Sequence, residues 1–141
     1  MKRNPVERRL QKYHLLQQEI DFLQTEVLAA EEMLKTLNNF HINLEDDVRE
    51  KVDRRIQNLK EQMAAHSAEK TLIESVINGL EDTTAREIFK LKYFSKMVWP
   101  SIAKKTGYSE RQCRRIHTDT IEKIISQKMV KMSGMSGSET C

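Results

Sequence analysis

Between positions 16 and 37 the apolar residues Leu16, Ile20, Leu23, Val27, Ala30, Leu34 and Leu37 recur at spacings of 4, 3, 4, 3, 4 and 3. Mostly charged residues and glutamine fill the gaps. This is a heptad seam, and it predicts a long amphipathic helix with one apolar face. Upstream, Val6, Leu10 and Tyr13 keep the spacing, but the step from Tyr13 to Leu16 slips by one position. Asn4-Pro5 opens the pattern. An Asn side chain can accept a hydrogen bond from the free N–H groups at a helix start, and proline has no N–H to leave unpaired at the first helical position. The stretch Asn38-Asn39-Phe40-His41-Ile42-Asn43 breaks the pattern and reads as a loop. Asn43, followed by Glu45, Asp46 and Asp47, reads as the next helix start, with its acids at the positive end of the helix dipole.

A second seam follows: Val52, Ile56, Leu59, Met63, His66, Lys70, Ile73 and Ile77. It is weaker, because His66 and Lys70 occupy core-type positions. Two seams joined by a short loop predict an antiparallel helical hairpin. A pair of helices covers only one seam and needs a partner surface. A second copy, the C-terminal part of the chain and another protein are equally open at this point. Asn78-Gly79 either ends the second helix or kinks it. Asp82-Thr83-Thr84-Ala85-Arg86-Glu87 is then a capped start, with an apolar face of Ala85, Ile88, Phe89, Leu91, Tyr93 and Phe94. The residues from Ser133 to Cys141 are rich in Gly and Ser and read as part of a disordered tail. The expected organisation is all-α: a long-helix hairpin over 1–80, a domain of short helices over 81–128 and a tail over 129–141.

The window Trp99-Pro-Ser-Ile-Ala-Lys-Lys-Thr-Gly-Tyr-Ser-Glu-Arg-Gln-Cys-Arg-Arg-Ile-His-Thr118 fits a helix-turn-helix. Two helices that cross closely need a small residue at the crossing, and Ala103 supplies it. Four residues later the turn favours a residue free to take positive φ, and Gly107 is there. Tyr108 is expected to pack inward after the turn. Ser109 with Gln112 makes a capping box for the second helix. Ile102, Cys113, Ile116, Thr120 and Ile124 form the expected inward set. Thr106 is the weaker fit, at a position where an apolar residue is commoner. The competing reading of this window is a helical repeat that binds nothing.

Charge changes the picture. The chain has 141 residues and a formal net charge of +3, but the charge is unevenly spread. Residues 1–80 hold 12 Lys+Arg against 14 Asp+Glu, whereas residues 83–132 hold 12 against 4. A compact basic segment is the electrostatic footprint of a nucleic-acid binder, although charge alone equally describes a solvated face. With the inward set fixed, Arg111, Gln112 and Arg115 face outward near the start of the second helix. Arg and Gln can pair bidentately with guanine and adenine edges, so these three are the candidates for base contact. Ser109, Lys104, Lys105 and Arg114 are the candidates for backbone contact, which gives affinity without sequence information. Glu110 stays open between accepting from a cytosine amino group and complementing the helix dipole.

Residues 81–125 resemble region 4 of bacterial sigma-70 factors, the part that reads the −35 promoter element. The resemblance is carried by Arg86-Glu-Ile-Phe-Lys-Leu-Lys-Tyr-Phe94, Trp99-Pro-Ser-Ile-Ala103, Gly107-Tyr-Ser109 and Arg114-Arg-Ile116. It covers roughly the last third of the chain. The remainder departs from a sigma factor, with no aromatic-rich stretch for melting a promoter. A short chain with a helical N-terminus and this C-terminal part is similar to small phage transcriptional regulators of the ArpU and RinA type. That resemblance implies sequence-specific binding of double-stranded DNA and control of phage late genes, with RNA polymerase as a candidate partner. Phage terminase small subunits share the design and bind packaging sites; they are the alternative.

Other chemistry is poorly supported. The four histidines are scattered, no Cys/His spacing matches a zinc site, and there is no Gly-rich phosphate loop. The expectation is a non-enzyme without cofactor or metal. Cys113 reads as a small core residue. Only four Gly and two Pro interrupt the chain, which argues against loop-rich enzyme folds. No apolar run approaches a membrane span, and no secretory signal is evident. The expected setting is the bacterial host cytoplasm, with self-association through the N-terminal helices.

Overall fold

The computed structural model describes residues 4–139, with side chains described through residue 127. The chain is all-helical, with no strand among the described residues. In order come α1 (Pro5–Gln11), α2 (Tyr13–Asn39), α3 (Asp46–Asn78), α4 (Thr83–Phe89), a π-helical segment (Lys90–Phe94), α5 (Trp99–Thr106) and α6 (Glu110–Glu139). Among the described residues, no helix is long and apolar enough to cross a membrane. Contacts divide the chain into two units, His14–Leu72 and Met1–Tyr13 with Ile73–Cys141. The sequence pattern divides at residue 80, whereas the contacts divide inside both long helices. A heptad period shows which face of a helix is buried but not which neighbour buries it.

In the unit 14–72 the two seams meet. Leu23 and Val27 of α2 are buried with Ile56 and Leu59 of α3, and Ala30, Leu34, Val52 and Met63 pack around them. The apolar stripes that the sequence offered for self-association are therefore used within the chain here. The helices run antiparallel, because later residues of α2 meet earlier residues of α3. Gln17 accepts from Lys70, Glu19 lies 3.3 Å from His66 and Glu26 lies 3.6 Å from Arg55. The first two pairs explain how polar residues sit on an apolar seam: each has a polar partner on α2. The loop turns at His41, whose φ of 56° is left-handed. It is closed by the N–H of Ile42 on the Leu37 carbonyl, at 2.8 Å.

The other unit begins with the expected cap. The Asn4 Oδ1 accepts from the N–H of Val6 at 2.8 Å, and Pro5 opens α1. The slip between Tyr13 and Leu16 has a structural counterpart. The helix breaks at Lys12, so the helical phase restarts. α1 packs on α6. The Tyr13 hydroxyl donates to Glu74 at 2.9 Å and its ring lies 4.9 Å from Phe94. Burial first, then the Glu74 carboxylate, push the Tyr13 hydroxyl up to about 12. At the far end of α3, Ile73 and Ile77 are buried and the helix stops at Asn78. Gly79 thus follows a helix end and not a kink. Asp82 caps α4, accepting from the N–H groups of Thr84 at 2.9 Å and Ala85 at 3.3 Å.

α6 runs as helix from Glu110 to Glu139. Gly134 and Gly137 each cost about 1 kcal/mol relative to alanine, but no proline intervenes, and extending a formed helix avoids the cost of nucleation. Residues 140 and 141 lie outside the described residues.

Truncating Ile56 to alanine is expected to lower stability by about 2–5 kcal/mol, because it empties the shared seam. Truncating the exposed Leu28 should change stability by less than about 0.5 kcal/mol. Denaturant unfolding of the two variants checks this; equal losses would contradict the seam packing.

Candidate nucleic-acid interface

α5 and α6 are joined by three residues, Gly107, Tyr108 and Ser109. Gly107 takes φ 82° and ends α5 in the left-handed conformation, its N–H reaching the Ala103 carbonyl at 2.9 Å. A Cβ added there would meet nothing within 4 Å, so glycine is favoured for backbone conformation and not for space. Ser109 caps α6: its Oγ accepts from the N–H of Gln112 at 3.1 Å. The two helices are held by a fully buried contact between Ile88, Ile102 and Cys113, with Leu91, Met97, Trp99, Ala103 and Ile116 around it. Thr106, the weaker fit, is accommodated by its hydroxyl, which donates to the Ile102 carbonyl at 2.9 Å.

Tyr108 is a correction. It was expected to pack inward, yet it is 39% exposed. The core beneath the turn is already filled by Ile102 and Cys113.

His117 is the residue that the sequence reading missed. It is buried, and its Nε2 shares a 2.6 Å hydrogen bond with the Tyr93 hydroxyl. It stacks on Phe89 at 5.0 Å and meets the edge of Trp99 at 5.2 Å. The signal was in the spacing: Cys113, Ile116, His117, Thr120, Ile121 and Ile124 form a stripe wider than the strict set. The π-helical segment supplies its partner. A wider helical turn brings Tyr93 close to Phe89, their rings 5.6 Å apart. Burial first, and then the charge of Lys92, lower the His117 pKa to about 4, so the ring is neutral at pH 7.

Every candidate contact residue lies on the surface. Arg111, Gln112, Arg115, Ser109, Lys104, Lys105 and Arg114 are all exposed. Their circumstances differ. Arg114 is engaged, 2.9 Å from Glu110 and with its guanidinium 5.6 Å from the centre of the Trp99 ring. Lys92 lies 4.8 Å from the same ring. Glu110, left open above, is thus spent on Arg114. Lys104 and Lys105 sit in the last turn of α5, where cations suit the dipole. Arg111 and Arg115 have no such explanation. They stand one helical turn apart, and like charges at that spacing repel by about 0.2–0.5 kcal/mol. Among the described residues neither has a hydrogen bond or ion pair. Gln112 shares their turn. No group of three or more His, Cys, Asp and Glu able to hold a metal occurs among the described residues.

The chain is all-α, and its last helix presents Arg111 and Arg115 beside the paired Arg114. The chain belongs to the family described as "Protein of unknown function (DUF722)", whose model matches residues 6–126. No curated protein and no solved structure matches it. The family match runs from α1 into α6 and so spans both units.

His117 gives a pH prediction with a definite sign. The unfolded ring protonates near pH 6.5 and the folded ring only near 4, so the unfolded state binds more protons between these values. Its contribution to stability is complete above pH 6.5, falls as the pH drops through this window and is flat below it, a loss of up to about 3 kcal/mol. A His117→Phe variant should lack this component. Thermal unfolding of both proteins from pH 7 to pH 4 measures it, and parallel curves would contradict the buried neutral ring.

Proposed function

We propose that this chain is a sequence-specific double-stranded DNA-binding regulator of transcription, a helical hairpin followed by a helix-turn-helix. On this reading α6 enters the major groove with its first turns. Arg111, Gln112 and Arg115 read base edges, while Ser109, Lys104, Lys105 and Arg114 hold the phosphate backbone. The observation that carries the reading is the pair Arg111 and Arg115. Two unpaired like charges stand on the exposed side of a helix whose other side is locked by Ile88, Ile102 and Cys113. Such a pair costs stability and is repaid by a polyanion. The left-handed Gly107 and the Ser109 cap support it, because they set the start of α6. So does the resemblance of residues 81–125 to sigma-70 region 4, which points to a non-catalytic phage regulator acting in the bacterial cytoplasm.

The test is affinity on a duplex site selected from a random library by the wild-type protein. Arg111→Ala and Arg115→Ala should each cost about 1–3 kcal/mol on that site and relax the preference at one base position. Lys104→Ala should weaken selected and random duplexes alike and reduce the salt dependence. Equal losses on both duplexes for the two arginine variants would contradict base reading by them.

A further inference from the structure

We propose that residues 14–72 bind a second copy of this chain through one face shared by α2 and α3, giving a two-fold assembly of four helices. α2 carries two apolar stripes, and the seam on α3 covers only one. The second is exposed: Leu15 at 51%, Phe22 at 64% and Met33 at 55%. A single exposed leucine needs no explanation, but a row of large apolar side chains does. Leu15, Glu19, Phe22, Glu26, Ala29 and Met33 follow one another at spacings of 4, 3, 4, 3 and 4, so they form one continuous stripe.

The chemistry beside that stripe indicates what covers it. Glu19 and Glu26 lie within it and reach across to His66 and Arg55 on α3. The stripe therefore adjoins the side of α3 that bears these residues. On that side Lys51, Arg55, Asn58 and Gln62 also recur at helical spacing, and with Arg54 and Leu59 they line a shallow cleft. Among the described residues Lys51 has no ion pair and no side-chain hydrogen bond. One face thus presents an apolar and acidic row on α2 beside a basic row on α3.

Such a face is complementary to itself. A two-fold axis lays the α2 row of each copy on the α3 row of the other, so Lys51 meets the acidic row and the apolar side chains leave water. Pairing α2 with α2 would not do this. The helix carries Glu19, Asp21, Glu26, Glu31 and Glu32 against Lys35 alone. The large central side chain, Phe22, takes the place of an interface anchor. The inference stands apart from DNA binding and survives if that reading fails.

The test is the mass of the intact chain in solution, by light scattering or sedimentation across the micromolar range. The wild-type protein is expected to be a dimer. Phe22→Asp should raise its dissociation constant by about 100-fold or more, with helix content unchanged. Met33→Asp, on the same stripe, serves if Phe22→Asp loses helix content. Lys51→Glu should weaken the dimer too, since it removes a base facing the acidic row. Leu28→Asp is the control, because Leu28 is 54% exposed but lies outside the stripe; that variant should remain dimeric. A wild-type monomer throughout the range overturns the proposal and leaves the face to a different protein. Dissociation by Leu28→Asp as complete as by Phe22→Asp, or none by either stripe variant, also overturns it.

Discussion

The buried meeting of Ile88, Ile102 and Cys113 holds the basic surface in place, and little else could. α5 is only eight residues long, Trp99–Thr106. A helix of that length does not persist alone in water, because nucleation costs more than two turns of hydrogen bonds return. Its position comes from Ile102 pressed between α4 and α6. Once Cys113 is fixed inward, the period of the helix sends Arg111, Gln112 and Arg115 outward. Gly107 then determines the angle at which the chain leaves α5. The aromatic group around His117 extends this core along α6 and ties in the π-helical segment through Tyr93.

Much of this was legible from residue order, for reasons that differ by element. The seams were visible because a long two-helix contact repeats the same demand every seven residues. Asn4-Pro5, Gly107 and Ser109 were visible because each solves a local problem of hydrogen bonding or dihedral angle that few residues solve. What escaped notice was set by distant neighbours. Helical spacing places His117 on the edge of the buried stripe, but its burial depends on Tyr93 offering a hydroxyl and on Phe89 and Trp99 offering rings. Tyr108 was misjudged for the opposite reason, since the space assumed for it is filled by other residues. The pattern also treated Tyr13 as part of a hairpin, whereas it pairs with Glu74 and Phe94. On the candidate surface, residue order names the seven exposed contact candidates but does not show that Arg114 is held by Glu110 and Trp99 while Arg111 and Arg115 are not.

The two units pose different physical problems. Around α5 and α6 the core is closed and charge is what remains unsatisfied. In α2 and α3 ion pairs join Glu50 to Arg54, Glu26 to Arg55, Glu31 to Lys60 and Glu19 to His66, and apolar surface remains exposed along Leu15, Phe22 and Met33. The proposed occupants differ accordingly, a nucleic acid for the first surface and a second copy of the chain for the other. The family match across residues 6–126 takes in both surfaces.

Whether α6 reads DNA sequence, as proposed, is measured by recovering fragments of the encoding genome on the purified protein at near-physiological salt and sequencing them. That salt matters because non-specific electrostatic binding collapses steeply as ionic strength rises. Strong enrichment of one or a few sites lying upstream of genes is the expected result. Uniform recovery of all fragments, or recovery of none, would contradict it, and enrichment confined to a packaging locus would reassign the surface from promoter to packaging-site recognition.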